Sequence, residues 1–530
     1  MCVLGWMVVA VVGGAAAGAE EPLRMVRVAT DTPAALAAEL HAHGLDVEHG
    51  HTYQSGDGGG LEIVVTAAEQ AWLAERGHAV RVVRTGQPLR DGGREAGRGI
   101  PDGYGDLDWI YQQMHAAAAR RPDVCEVVDL TERYGADPTF EGRHLFAVRI
   151  SDNVGQDEAE PAVLIVANHH AREIGTPIVA LRTIDNLVDG YGSDPRITAA
   201  VDGHEIWIAP TWNPDGYHHV YTVDDFWRKN RRPNPDGSRG VDLNRNYPVG
   251  WGQCGGSTFP GSSVYQGPEA ASEPETRTMV AFAADRRFAR VADIHSYASE
   301  VRYGYGCWNH PWDPSFGQVA AGLSQLSGYG GDTGSSCCLG GDIHLHTNRY
   351  GALAFLWEIG TSFHPSFASA NAEADVLWNA MIELIDRGSA ISGRVMRAGS
   401  QTPVEATVTV VGAGFSHGET HGSAPRHGLF HAHPPLGTWT LRFEAAGYEP
   451  AERTVTLNSV MPQAALLVEL TPECAADLAE PFGVLNFFDL SAFIGLYGGQ
   501  DPAADWAAPA GVFNFFDVAA YIGAYNAGCP

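Results

Sequence analysis

Basic residues are scarce in this chain. Thirty-four Lys and Arg stand against 63 Asp and Glu, a formal net charge of -29 over 530 residues. Such a surface repels phosphate, which excludes nucleic acid as a partner, and the surplus acid reads as a well-solvated secreted surface. After residue 19 no apolar run reaches spanning length, so no transmembrane segment is expected in the mature protein. Cys-x-x-Cys pairs are missing too, which removes thiolate-based structural zinc. Eight cysteines are present, with Cys2 inside an apolar leader. The remaining seven leave one unpaired, and Cys125, in an expected buried strand, is the candidate. Cys474 and Cys529 bracket the C-terminal segment and would staple it. The pairing of Cys254, Cys307, Cys337 and Cys338 stays open.

The length exceeds a single core and implies two to four domains. Residues 1–19 read as a secretory signal ending Ala17-Gly18-Ala19, although the usual leading Lys or Arg is absent. The expected location is therefore extracellular or periplasmic. Residues 24–85 alternate strand, helix, strand, helix, strand, a small α+β unit. A linker at 86–100 follows, overlapping an Arg- and Gly-rich stretch from Arg84 to Gly99; Arg90, Arg94 and Arg98 suit a trypsin-like protease, and a plain flexible connection fits as well. Residues 101–388 alternate apolar strands with helices, which predicts a mixed α/β sheet. Short strands between Gly and Pro turns predict a β-sandwich at 389–470. Residues 474–530 hold a duplication: Asp477 to Asp489 is answered by Asp505 to Asp517, each followed by an apolar helix.

The chemistry begins where the apolar run 161–166 ends in Ala167-Asn168-His169-His170-Ala171-Arg172-Glu173. His170 and Glu173 form an H-x-x-E pair, and catalytic zinc commonly takes two His and one Glu with a fourth position left for water. A third ligand is expected at the end of another strand, which Val291-Ala292-Asp293-Ile294-His295 supplies in His295. Asp242 is a candidate acceptor for the free ring nitrogen of a ligand His. Glu358 sits inside an otherwise apolar run, 353–359, where an unpaired carboxylate would be costly.

These motifs resemble the zinc metallocarboxypeptidases of the carboxypeptidase A/B type. The resemblance is carried, in order, by His170-Ala171-Arg172-Glu173, Asn213-Pro214-Asp215-Gly216, Trp227-Arg228-Lys229, Asp242-Leu243-Asn244-Arg245-Asn246, Tyr265-Gln266-Gly267-Pro268 with Ser272-Glu273-Pro274-Glu275-Thr276, His295-Ser296-Tyr297 and Glu358-Ile359-Gly360. It implies a mixed-sheet α/β/α catalytic domain. It implies one Zn2+ held by His170, Glu173 and His295, with Glu358 as general base. It further implies that Arg228 stabilises the oxyanion, that Asn244 and Arg245 hold the substrate's terminal carboxylate, and that Arg172 adds a substrate contact. His169 is the alternative ligand to His170, which the A-R-E register favours.

Two positions depart from the family. The mobile-loop tyrosine falls at Ser336, and the floor of the specificity pocket at Ile343 with Asp342 beside it. Ile343 favours apolar or aromatic C-terminal residues; a shift of one residue would favour Lys or Arg. Residues 24–85 resemble the family's cleft-covering propeptide, 389–470 its transthyretin-like or regulatory-like sandwich, and the tail dockerin-like repeats. In the tail Asp477, Asn486, Asp489, Asp505, Asn514 and Asp517 survive, but Ala, Pro and Phe fill the loop centres. A hydrophobic docking or surface-retention tail is therefore expected, with Ca2+ as the alternative. The expected activity is secreted, zinc-dependent hydrolysis of C-terminal peptide bonds, with peptides or proteins bearing a free C-terminus as partners. The alternatives are the same zinc site acting on cell-wall peptides or amides, and a catalytically impaired binding protein.

Overall fold

The computed structural model describes residues 21–47, 51–55, 58–89, 103–336, 338–458, 465–479 and 484–528. The leader, the three linker arginines, Cys2, Cys337 and Cys529 lie outside the described residues.

The N-terminal unit contains β1 (Arg24–Ala29), α1 (Pro33–Ala42), β2 (His51–Ser55), β3 (Gly58–Val65), α2 (Ala67–Glu75) and β4 (Val80–Thr85). Its antiparallel sheet runs β2-β3-β1-β4. Strand β2 was not expected from the sequence; its His/Thr/Tyr/Gln/Ser run has no apolar alternation, and pairing with β3 at the sheet edge makes it a strand. Helix α2 starts on a capping box, Thr66 accepting from the Glu69 N–H while Glu69 accepts from the Thr66 N–H. The expected exposed linker also begins later than the Arg/Gly composition suggests. Arg84 and Thr85 belong to β4, and Leu89 is buried with its N–H donated to the Val220 carbonyl.

The main sheet is built by α3 (Leu107–Arg120), β5 (Cys125–Asp129), α4 (Leu130–Arg133), β6 (Phe146–Ile150), β7 (Ala162–Ala167), α5 (Thr176–Gly190), α6 (Pro195–Asp202), β8 (Glu205–Ala209), α7 (Pro214–Thr222), α8 (Pro274–Arg286), β9 (Arg290–His295), β10 (Glu300–Tyr303), α9 (Asp313–Leu326), β11 (Thr333–Ser335), α10 (Asp342–Tyr350), β12 (Leu353–Glu358) and α11 (Phe367–Asp386). Its order is β11-β10-β12-β9-β7-β8-β6-β5. The central β12, β9, β7 and β8 are mutually parallel, flanked by antiparallel pairings of β10 with β12 and of β6 with β8. This is the expected mixed α/β sheet. Every residue of β7, β9 and β12 is buried, as parallel strands covered on both faces require. Within β9 the alternation places Val291, Asp293 and His295 on one face and Ala292 and Ile294 on the other. In open sheets of this kind, sites gather at the carboxyl ends of the parallel strands; β9 and β12 end at His295 and Glu358, and β7, ending at Ala167, leads into His169-His170.

Residues 391–470 form two sheets sharing a core, β16-β13-β19 and β15-β14-β17-β18, where β13 is Ile391–Arg397, β14 Thr407–Val411, β15 His421–Gly422, β16 Leu429–Ala432, β17 Gly437–Glu444, β18 Ala451–Leu457 and β19 Leu466–Leu470. The tail carries α12 (Phe487–Gly498) and α13 (Phe515–Ala527), opened by the matching capping boxes Asn486/Asp489 and Asn514/Asp517. Asp489 and Asp517 also accept backbone N–H groups from their own loops, Leu478 and Ala479 in the first copy and Trp506 and Ala507 in the second. Cys254 and Cys307 form a disulfide, Cys474 is disulfide-bonded, and Cys125 is a buried free thiol. Among the described residues no helix is long and apolar enough to cross a membrane.

Candidate metal centre

Strand β7 runs directly into the site through Asn168. Its φ of 60° is left-handed, a conformation asparagine tolerates better than most residues, and it turns the chain sharply at the sheet edge. The Asn168 amide donates to the His170 carbonyl at 3.1 Å and its oxygen accepts from Thr211 Oγ1 at 3.1 Å, which fixes the turn. Asn213 braces it from α7, donating to the His169 carbonyl at 3.0 Å.

The turn brings His170 and Glu173 against His295 at the end of β9. His170 Nδ1 lies 2.8 Å from Glu173 Oε1, and His295 Nδ1 lies 3.2 Å from Glu173 Oε2 and 3.0 Å from His170 Nδ1. One donor atom from each falls within 4.8 Å of the others, and all three residues are buried. Two imidazoles and one carboxylate converging this tightly fit the donor set of a catalytic zinc. Burial works against the Glu173 carboxylate, but the flanking His170 and His295 hold it well below the usual range.

The other side chains singled out from the sequence surround this triad. Asp242 Oδ1 lies 3.1 Å from His170 Nε2, leaving Nδ1 toward the triad. The second oxygen of Asp242 accepts from Arg228 Nε and Nη2 at 3.0 and 2.9 Å, a two-pronged pairing that fixes the guanidinium plane. Burial opposes ionisation of Asp242, but Arg228 and His170 hold it down at about 2. Asn244 lies 3.3 Å from His295 Nε2, while its oxygen accepts the N–H of Asp342 at the start of α10. Arg245 is buried and braced by the carbonyls of Gly255 and Asn244. Glu358, paired across the ladder with His295, has Arg302 Nη1 3.6 Å from its carboxylate. Burial pushes Glu358 up, and Arg302 opposes that rise. Ile343 is 2% exposed and packs on the same face as Leu243, Tyr247 and Leu356. Ser336 is buried, 3.1 Å from His344 Nε2.

Three features were missed from the sequence. One is Arg302 beside Glu358. Another is the pair His169–Asp293 behind His295; a carboxylate inside apolar β9, two residues before a ligand and on its face, was the available signal. The last is Asp46 of the N-terminal unit, which is hydrogen-bonded to Arg172 and lies 3.5 Å from Arg228. Nothing local in the sequence marks Asp46, because the contact closes over more than a hundred residues. Further contacts hold the unit in place. Gly44 O accepts from Ser262 Oγ at 2.6 Å, Asp224 accepts the Leu23 N–H at 2.7 Å, and Leu23 and Val64 pack against Phe226, Tyr297 and Phe363.

Residues 110–337 match the family model described as zinc carboxypeptidase. The chain is 30% identical to carboxypeptidase A2 of Rattus norvegicus over 274 residues, 50% of this chain and 62% of that protein. It is 34% identical to carboxypeptidase B of Helicoverpa zea over 237 residues, 43% of this chain and 52% of that protein. The chain thus spans roughly three fifths or less of these two relatives. The fold is similar to that of carboxypeptidase A from Helicoverpa armigera, with a TM-score of 0.54 at 21% identity over 68% of this chain and 96% of that one. Thrombin activatable fibrinolysis inhibitor gives a TM-score of 0.53 at 21% identity, over 69% of this chain and 98% of that one.

Proposed function

We propose that this chain is a secreted zinc metallocarboxypeptidase that removes C-terminal residues from peptides or proteins, and that residues 21–89 keep it inactive until cleavage follows them. The observation that carries the reading is the convergence of His170, Glu173 and His295 beside Glu358, all at the ends of three neighbouring parallel strands. The match of residues 110–337 supports it.

In this reading His170, Glu173 and His295 hold the metal. Bound there, zinc would act as a Lewis acid toward water and the scissile carbonyl. Glu358 takes a proton from the attacking water and delivers it to the departing amine, work suited to a carboxylate whose burial raises its basicity. Arg228, locked by Asp242, presents a fixed positive charge where the carbonyl oxygen becomes anionic, and needs no reorganisation as the reaction proceeds. Asn244 and Arg245 receive the terminal carboxylate, Arg172 adds a second cationic contact, and Ile343 contributes to the floor of the side-chain pocket. With Asp46 on Arg172 and Arg228, the same arginines are engaged by the chain's own carboxylate, which is the physical basis of the inactive state. Secretion rests on the leader at 1–19. Docking through the tail is supported by Phe487, Phe488, Phe515 and Phe516, which stand exposed at the starts of α12 and α13.

The test is incubation of the purified protein, intact or cut within residues 86–100, with a mixed peptide pool followed by mass spectrometry. Stepwise loss of C-terminal residues by the cut form is expected, abolished by a chelator and by Glu358→Ala. Intact peptides despite bound zinc and a removed N-terminal unit would overturn the reading.

A further inference from the structure

Behind His295 the described residues contain a second compact donor set, His169, Asp293 and His295, sharing its imidazole with the first. Its atoms are already committed to one another. His169 Nδ1 lies 2.9 Å from Asp293 Oδ1, His169 Nε2 lies 2.8 Å from the Tyr247 hydroxyl, and Asp293 Oδ2 lies 3.0 Å from His295 Nε2. The rings of His169 and His295 are nearly parallel, 7° apart with centroids separated by 5.7 Å. Asp293, His169 and Tyr247 are all fully buried, so water offers no alternative partners.

The direction of each hydrogen bond follows from the inventory of donors and acceptors. A carboxylate only accepts, so His169 presents an N–H to Asp293. His169 Nδ1–H donates to Oδ1, its Nε2 is then the acceptor, and the Tyr247 hydroxyl donates to it. On the other side, Asp293 Oδ2 lies 3.0 Å from His295 Nε2 without the alignment of a hydrogen bond, so its charge favours a proton on Nε2, and Nδ1 is the atom that faces His170 and Glu173. Asp242 does the same for His170, whose Nε2 faces it. The two imidazoles of the triad therefore face separate carboxylates, and the one behind His295 is itself held by His169, which Tyr247 holds in turn.

We infer that Asp293, backed by His169 and Tyr247, is a positioning residue that fixes the tautomer and ring orientation of His295 and so presents Nδ1 to the metal. The inference rests on the triad proposed above as the zinc site. Carboxylates that orient ligand histidines typically contribute about 10- to 100-fold to metal affinity. Asp293→Asn keeps the shape but loses an acceptor oxygen, and its amide N–H competes with that of His295. His169→Gln leaves Asp293 in place and removes only its support.

The experiment uses the full chain stripped of metal, with zinc affinity measured by competition against a chromogenic chelator and folding followed by thermal unfolding of the metal-free protein. Asp293→Asn is expected to bind zinc about 10- to 100-fold more weakly, and His169→Gln to fall between it and the wild type. Long-range proton–nitrogen spectra of the metal-free wild type should show His295 protonated on Nε2, a readout that does not require Asp293→Asn to fold. Wild-type zinc affinity in both variants, alongside a strong loss in a His170→Gln control, would overturn this inference and leave the proposed function standing. So would a His295 found without a proton on Nε2. No loss of zinc in His170→Gln would instead sink the proposed triad itself.

Discussion

Asp46 and Arg172 are paired across 126 residues of sequence, both side chains at 2% exposure or less, and the same carboxylate lies 3.5 Å from Arg228. An anion of the N-terminal unit is thus inserted among the cations of the candidate site. Removing one partner of a buried pair typically costs about 3–5 kcal/mol because the other charge is stranded. Asp46→Ala should therefore loosen the N-terminal unit by about two to four powers of ten, and the uncut chain should gain peptide-hydrolysing activity. Steady-state assays on uncut wild type and variant check this. Equal, negligible rates in both would show that covering by the unit, rather than its carboxylate, keeps the site closed.

Glu358 is the residue whose loss should separate chemistry from metal binding. It lies outside the His170–Glu173–His295 donor set, while its backbone pairs with His295 across the ladder. General acid–base groups typically contribute about 10²- to 10⁴-fold to rate, so Glu358→Gln should lower kcat by that range with zinc content unchanged. Elemental analysis and turnover measured on the same preparation decide it. A variant that loses zinc in parallel with activity would reassign Glu358 to holding the metal site.

The triad was legible in the sequence because its chemistry is local to strand ends. Polar residues that close apolar runs, at His170, His295 and Glu358, stand out against a periodicity they break. Asp242 and Arg228 were legible through motif order, and they meet as a two-pronged pair. Arg302 was not, because its proximity to Glu358 comes from the pairing of β10 with β12, which no local pattern announces. Strand β2 was missed for a related reason: its strand state is imposed by β3 rather than by its own composition. The start of the linker was misjudged because a run of Arg and Gly hides the specific partners that Arg84 and Leu89 find on the catalytic unit.

Glu275 gives the chain a pH-dependent stability. Burial, with Glu273 beside it, pushes its carboxyl up to about 8. One oxygen accepts from Asn230, which also serves Glu273. The folded chain keeps this proton up to about pH 8, whereas the unfolded chain releases it in the ordinary carboxyl range. Between those limits the folded state binds more protons, so stability falls as pH rises, by up to about 1.4 kcal/mol per pH unit, and levels off above the folded value. Glu275→Gln removes the titration. Its gain over wild type in thermal unfolding should be larger at pH 8 than at pH 5, by about 3–4 kcal/mol. A gain of the same size at both values would show that Glu275 does not hold its proton in the folded chain.

Arg84 determines what happens after the linker is cut. It is ion-paired with Asp225, its guanidinium lies 3.8 Å over the Phe226 ring, and Nη2 reaches His364 at 3.4 Å. Gln87 and Asp225 exchange backbone and side-chain hydrogen bonds just beyond it. All of these contacts lie before residue 90, so cleavage at Arg90, Arg94 or Arg98 breaks none of them. The cut N-terminal unit should therefore remain bound, and activity should lag behind cleavage. A partly buried ion pair with a cation–π contact contributes about 2–3 kcal/mol, so Arg84→Ala should speed release by about 30- to 150-fold. Cleavage followed by gel electrophoresis, with hydrolysis timed in parallel, tests this. If activity appears at the moment of cleavage in the wild type, the clamp at Arg84 is not what retains the unit, and Asp46 alone would have to account for inhibition.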